Sequence, residues 1–137
     1  MSFRDFVREA EESQEVGFVT DIEKDTVDND KFRKSLFTGD NMQLVLMSLK
    51  PNEDIGEEIH DPDQFFRIDG GSGKLVMDGK KYDIKDGSAF IVPGGVKHNI
   101  IAGEEGIKLY AIYSPPQHPE GTVHDTKEEA MEDEGEE

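Results

Sequence analysis

The sequence predicts an all-β domain, an antiparallel sandwich or barrel. Three observations carry that expectation. From Phe32 onward, short apolar runs alternate with turn signals roughly every 8–12 residues. No helical pattern of normal length lies between those runs, which disfavours parallel βαβ units. The length of 137 residues suits one domain, and a hydrophobic share of 34% supports one modest core rather than two.

Taken in order, the chain opens with a helical pattern over residues 1–14, where Phe3, Phe6, Val7 and Ala10 recur at helical spacing and Ser2 can cap the start. Val16 to Thr20 reads as a short strand, and "DIEKDTVDND" as polar and turn-rich. The runs "FRKSLFTG" and "MQLVLMSLK" are strands, ended by Gly39 and by Lys50-Pro51-Asn52. "FFRID" is a strand broken by "GGSG". "KLVMDGKKYDIK" is a hairpin, because Asp78-Gly79 is a strong two-residue turn signal. Asp86-Gly87 turns into "SAFIV", Pro93-Gly94-Gly95 turns again, and "KHNIIA" and "IKLYAIYS" complete eight or nine strands. "SPPQHPEG" leaves the sheet, and "TVHDTKEEAMEDE" reads as a frayed helix.

The formal net charge of −17 disfavours nucleic acid and anionic membrane, which both need basic patches. The last twelve residues hold seven acids against one lysine, the composition of a solvated, disordered tail. With no cysteine, disulfides, thiolate ligands and cysteine nucleophiles are excluded. Oxygen and imidazole are the metal ligands that remain. No apolar run is long enough to span a bilayer, and the N-terminus lacks a signal-peptide core, so a cytoplasmic protein is expected.

The chemistry-bearing stretch is "IGEEIHDPDQFFRIDGGSG". In an extended segment Glu58 and His60 leave the same face. Pro62 suits a bend, and a hairpin-like return would bring Gln64 beside His60. His98 follows the Gly-Gly turn, and would join them only if the two strands neighbour one another. Two imidazoles and a carboxylate on one side of an ion hold a first-row divalent metal and leave positions open for substrate. Gln64 can add an amide oxygen or orient a bound water. On spacing alone a solvated acidic loop and a structural histidine remain open alternatives. "DGGSGK" is not a phosphate loop, since no helix follows it.

These residues resemble the cupins, whose two motifs run G-x5-H-x-H-x3,4-E-x6-G and G-x5-P-x-G-x2-H-x3-N. Gly87, Pro93, Gly95 and His98 match the second, with Ala102 where its asparagine belongs and Asn99 nearby. The first keeps its spacing but changes identity: Asn52 for glycine, Glu58 for the first histidine, His60 as the second, Gln64 for glutamate, and Gly71 closing. The resemblance covers about residues 32–116. It implies a cupin-type antiparallel β-barrel or jelly roll over 32–116, preceded by an N-terminal helix and lead-in strand over 1–31 and followed by a C-terminal extension and acidic tail over 117–137.

It also implies a divalent metal (iron, manganese, nickel or zinc) held by Glu58, His60, Gln64 and His98. The expected function is action on a small polar metabolite such as a sugar or organic acid, isomerase-, epimerase- or dioxygenase-like. The architecture is likened to mannose-6-phosphate isomerase. The alternative is a non-catalytic small-molecule-binding cupin that has lost its metal. Arg67, Tyr110, His118 and His124 are candidates to touch substrate; Tyr82 and Tyr113 are weaker candidates to line the cavity. A small-molecule ligand is the expected partner, and exposed barrel edges and the apolar helix stripe invite a homodimer.

Overall fold

The computed structural model describes residues 16–135. Two long strands organise it. β1 (Arg33–Thr38) and β2 (Gln43–Leu49) come first, then β3 (Asp63–Met77), β4 (Lys80–Lys85), β5 (Ala89–Val92), β6 (His98–Ser114) and the two-residue β7 (Val123–His124). Helix α1 (Ile22–Asp28) precedes them and α2 (Lys127–Gly135) follows. Every strand pairing is antiparallel. The expected β architecture is present: a folded antiparallel sheet in jelly-roll form.

β3 and β6 pair along almost their whole length, and each changes neighbours halfway. The first part of β3 lies between β5 and the end of β6, which continues to β2, β1 and β7. The second part lies between β4 and the start of β6. There the segment around Asp54–Glu58 adds bridges to Ile101 and His98. Inward-facing Val45, Met47 and Leu49, Phe66, Ile68 and Leu75, and Ile107, Leu109, Ala111 and Tyr113 fill the core. Their alternation with more exposed residues is the period of two that one buried sheet face imposes.

The sequence expectation broke β3 at "GGSG" and split β6 into two strands. Both strands instead run through. The register slips between Ile68 and Gly70 and between Gly71 and Gly73, while Gly103–Gly106 bulges out opposite. A methyl group on Gly71 would collide with the carbonyl of Gly106, and one on Gly73 with the carbonyl of Ile101. Glycine here lets two backbones touch at a corner instead of ending a strand. The Asp78-Gly79 hairpin is as expected, with both residues at positive φ and Met77 opposite Lys80.

Three local expectations change. Val16–Thr20 forms no strand. The polar stretch after it is helix α1, whose start is capped by Asp21 accepting from the Lys24 amide at 3.2 Å. Seven residues are too few to show an apolar stripe, so the cap is the readable signal. The acidic extension is also not a solvated tail through Gly135: α2 docks by placing Ala130 in the core. The helix expected over 1–14 lies outside the described residues. No helix among the described residues is long and apolar enough to cross a membrane.

Gly71 sits at φ +79°, so Gly71→Ala adds left-handed strain to the clash with Gly106. The expected loss is about 2–4 kcal/mol, a fall in Tm of roughly 10 °C in thermal denaturation. Gly79→Ala, also at positive φ but with open space around it, is expected to cost about 1 kcal/mol.

Candidate metal centre

Glu58 and His98 face each other across an antiparallel bridge. The Glu58 amide donates to the His98 carbonyl at 2.8 Å, and the His98 amide donates back at 3.0 Å. Such a hydrogen-bonded pair sends both side chains to one face of the sheet. His60, two residues after Glu58, leaves on that face too. The Pro93-Gly94-Gly95 turn fixes its backbone, with the Gly95 amide donating to the His60 carbonyl at 2.8 Å and Gly94 packed against the Asp61 carbonyl. The Gly94 amide donates to Asp63 Oδ1 at 2.8 Å.

The result is a cluster. The rings of His60 and His98 are 5.7 Å apart, and His60 Nε2 lies 3.1 Å from Glu58 Oε2. That approach lacks hydrogen-bond geometry, so His60 Nε2 is buried without a partner. His98 Nδ1 lies 2.9 Å from the Val96 carbonyl. It therefore carries the proton there and leaves Nε2 as the free lone pair, the arrangement that orients a ligating histidine. Gln64, opposite Tyr113 in the register, has its buried Oε1 unpartnered. Each such orphan costs about 1–3 kcal/mol unless something binds it. Among the described residues no three His, Asp or Glu side chains stand close enough together to hold a metal ion as they are placed. In donor type and count, Glu58, His60 and His98 with the Gln64 amide oxygen nevertheless suit a divalent cation.

Charge supports the same cluster. Burial raises the Glu58 carboxyl, but the neighbouring His60, with Arg33 and His98 beyond it, outweighs burial and holds it below its ordinary range. Burial lowers His98 and keeps it neutral. His118 is pushed down to about 3 by burial, with the Arg33 charge adding to the effect. Burial pushes the Tyr113 phenol up, so it stays protonated.

A hollow of about 340 Å³ opens above this cluster, lined by Glu58, His60, His118, His124 and Glu134 among others. His118 is placed over it by Gln43, which is fully buried. Gln43 Oε1 accepts from the Gln117 and His118 amides at 3.1 and 3.0 Å, and its Nε2 donates to the His118 carbonyl at 2.8 Å. The His118 ring then stands 5.3 Å from Tyr113 and 6.5 Å from His60. Two larger hollows, about 740 and 550 Å³, bring no histidine to their walls.

The candidate substrate contacts divide. His118 and His124 line the hollow. Arg67 and Tyr110 do not: they pair with each other on the outward phase of β3 and β6, while their neighbours Phe66 and Ala111 point inward. Arg67 turns to Asp69 at 3.4 Å, and Tyr110 lies beside Phe65. Tyr82 is exposed on β4. Arg33 and Gln43 were not singled out in the sequence, although each is a polar residue on the inward phase of an apolar strand.

The Cupin domain family model matches residues 45–113. The chain is 48% identical to the protein YrkC of Bacillus subtilis over 123 residues, which is 83% of this chain and 66% of that protein. It thus spans about two thirds of that relative's length. It is 31% identical over 69 residues to the dimethylsulfoniopropionate lyase DddW of Ruegeria pomeroyi, covering 50% of this chain and 45% of the lyase. The crystal structure of BH2720 from Bacillus halodurans superposes with a TM-score of 0.84 at 43% identity, covering 86% of this chain and 96% of that one.

Gln43→Leu keeps the volume but leaves the Gln117 and His118 amides without their acceptor. Amide exchange at those two positions is expected to rise at least about ten-fold, with a stability loss of about 1–3 kcal/mol, read by hydrogen exchange and denaturant unfolding. With the family model matching half of its residues, the chain belongs to the cupin family.

Proposed function

We propose that this cupin binds one divalent metal ion through Glu58, His60 and His98, with Gln64 beside them, and acts on a small polar metabolite in the hollow above. The observation that carries this is the unpartnered, buried His60 Nε2 aimed at the Glu58 carboxylate, with His98 oriented by the Val96 carbonyl. Relative to the family motif, Glu58 replaces a histidine and Gln64 the glutamate, so the set has two imidazoles instead of three but keeps one negative charge.

A bound ion would serve as a Lewis acid toward a carbonyl, hydroxyl or carboxylate of the metabolite. The residues around it divide the remaining work. Tyr113, buried outside the lining of the hollow, packs edge-on against the His60 and His118 rings and so helps to orient them. His118, with a pKa near 3, is a poor base and is better suited to orienting a substrate than to taking its proton. Gln43 holds the 117–118 backbone, and with it His118, at the wall of the hollow. Isomerisation, epimerisation and dioxygenation are the reaction types such a centre supports. The sequence similarity to a lyase of dimethylsulfoniopropionate favours a small metabolite as substrate class.

A second reading has an observation of its own. Gln64 stands where the family motif has glutamate, and a neutral amide is the weaker ligand. A cupin that binds its small molecule without an ion would tolerate that change.

Elemental analysis of protein purified without chelator separates the two readings. The expected result is about one equivalent of iron, manganese, nickel or zinc per chain, falling at least about ten-fold in both His60→Ala and His98→Ala and unchanged in Arg67→Ala. Protein that holds none of these ions, takes up none on addition, and yet binds a small metabolite would favour the second reading instead.

A further inference from the structure

Behind His124 and Glu134, two residues that line the same hollow, lies a buried cation that is not itself in the lining. The Arg33 side chain is 2% exposed. Its Nη1 donates to Glu134 Oε1 at 3.1 Å and lies 3.4 Å from His124 Nδ1. Because Nη1 can only donate, Nδ1 accepts, and the His124 proton sits on Nε2 facing Asp133 Oδ2 at 2.9 Å. Arg33 Nε finds no partner although it is fully buried. A buried guanidinium needs an anion, and a donor left over means the present anion does not satisfy it.

That anion comes from α2, and it is poorly held. Glu134 belongs to the last turn of the helix, where the dipole disfavours negative charge. It follows Glu132 and Asp133 directly, and no basic residue occupies that turn. Its side chain is 39% exposed. The helix is anchored at its other end, by Ala130 in the core and by Lys127 paired with Asp54. Glu134 can therefore leave while the helix stays attached.

We propose that Arg33, with His124 beside it, is the anion subsite of the hollow, that it takes the carboxylate of a small carboxylic acid, and that Glu134 is a tethered stand-in for that carboxylate. This deepens the reading of the hollow as a small-molecule site and rests on it. A carboxylate fits better than a phosphate for two reasons. The group already in place is a carboxylate, and one guanidinium with a neutral imidazole balances a single charge. The rim carries Glu57, Glu58, Asp133 and Glu134, which oppose a dianion.

Calorimetric titration with propanoate, and with propanamide as its uncharged counterpart, tests this on full-length protein freed of metal. Glu134→Gln keeps the size of the side chain and removes its charge. The expected result is propanoate binding at least about ten-fold tighter in E134Q than in the unaltered protein, since a tethered competitor acts at millimolar effective concentration. Propanamide should bind neither. Arg33→Met in the E134Q background should remove propanoate binding; where that variant does not fold, Arg33→Lys should weaken it. Unchanged propanoate affinity in E134Q, or propanamide binding as well as propanoate, would overturn the subsite and leave Glu134 a structural ion pair. Because no metal is present, a chain that retains no ion but shows the E134Q gain overturns the metal reading alone. A chain that retains its ion without that gain overturns the subsite alone.

Discussion

The site depends on one backbone contact, the reciprocal hydrogen bonds between Glu58 and His98. The two residues are forty positions apart, and this backbone contact is what brings their segments together. The bridge is isolated: neither residue's partner segment forms a continuous ladder with the other. Two net hydrogen bonds contribute only about 2 kcal/mol, so the segment carrying Glu58 and His60 needs other supports. Asn99 supplies one, accepting from the Gly56 amide at 3.0 Å and donating to Asp54 Oδ2 at 2.9 Å. The Ile55 amide, donating to the Ile100 carbonyl at 3.0 Å, supplies another. The glycine turn at 94–95, seated on the His60–Asp61 backbone, supplies a third. Asn99 thus steadies the segment by side-chain bonds, one position after the histidine, though the motif places its asparagine three positions later.

A second constraint is electrostatic. A chain with a net charge of −17 has many acids to place, and it puts four of them, Glu57, Glu58, Asp133 and Glu134, at a hollow beside the buried Arg33. Arg33 makes that arrangement tolerable. Its charge helps to hold Glu58 ionised and His118 neutral, so a single guanidinium influences the protonation of groups on both sides of the opening. The acidic C-terminal segment acquires a structural reason in the same way: Glu134 is counter-charge to Arg33, and Asp133 accepts from the His124 ring.

Much of this was legible in the chain. The spacing Glu58–His60–Gln64 and the run from Gly87 to His98 located the cluster, because the turn glycines and proline that aim those side chains are themselves sequence signals. The hairpin at Asp78-Gly79 was legible for the same reason. Arg67 and Tyr110 were misplaced because a strand's phase reverses with every residue, and chemical type does not report phase. Arg67 looked functional as a lone cation among apolar residues, yet it lies one step from the inward Phe66 and Ile68. The reverse error hid Arg33 and Gln43. The alternation Val45, Met47, Leu49 extends back to Gln43, which makes it a buried amide needing partners, but those partners come from Gln117 and His118, more than seventy residues on. Continuous β3 and β6 were obscured by glycines that serve close backbone approach as readily as they serve turns.

The same comparison bears on where the functional unit ends. The family model stops at Tyr113, yet the hollow is incomplete at that point. His118, Thr122, His124, Asp133 and Glu134 all line it from beyond that residue. They are bound to the barrel by three contacts: Gln43 grips the backbone at 117–118, β7 pairs with β1, and Ala130 enters the core. The barrel supplies the lone pairs, which are what cupins share. The extension supplies most of the groups at the mouth of the hollow, and it is held there by buried polar contacts that are costly to leave half-made. The geometry of the opening and the sign of its charge are therefore decided largely in the segment after the barrel, and a substrate of the kind proposed would be selected there.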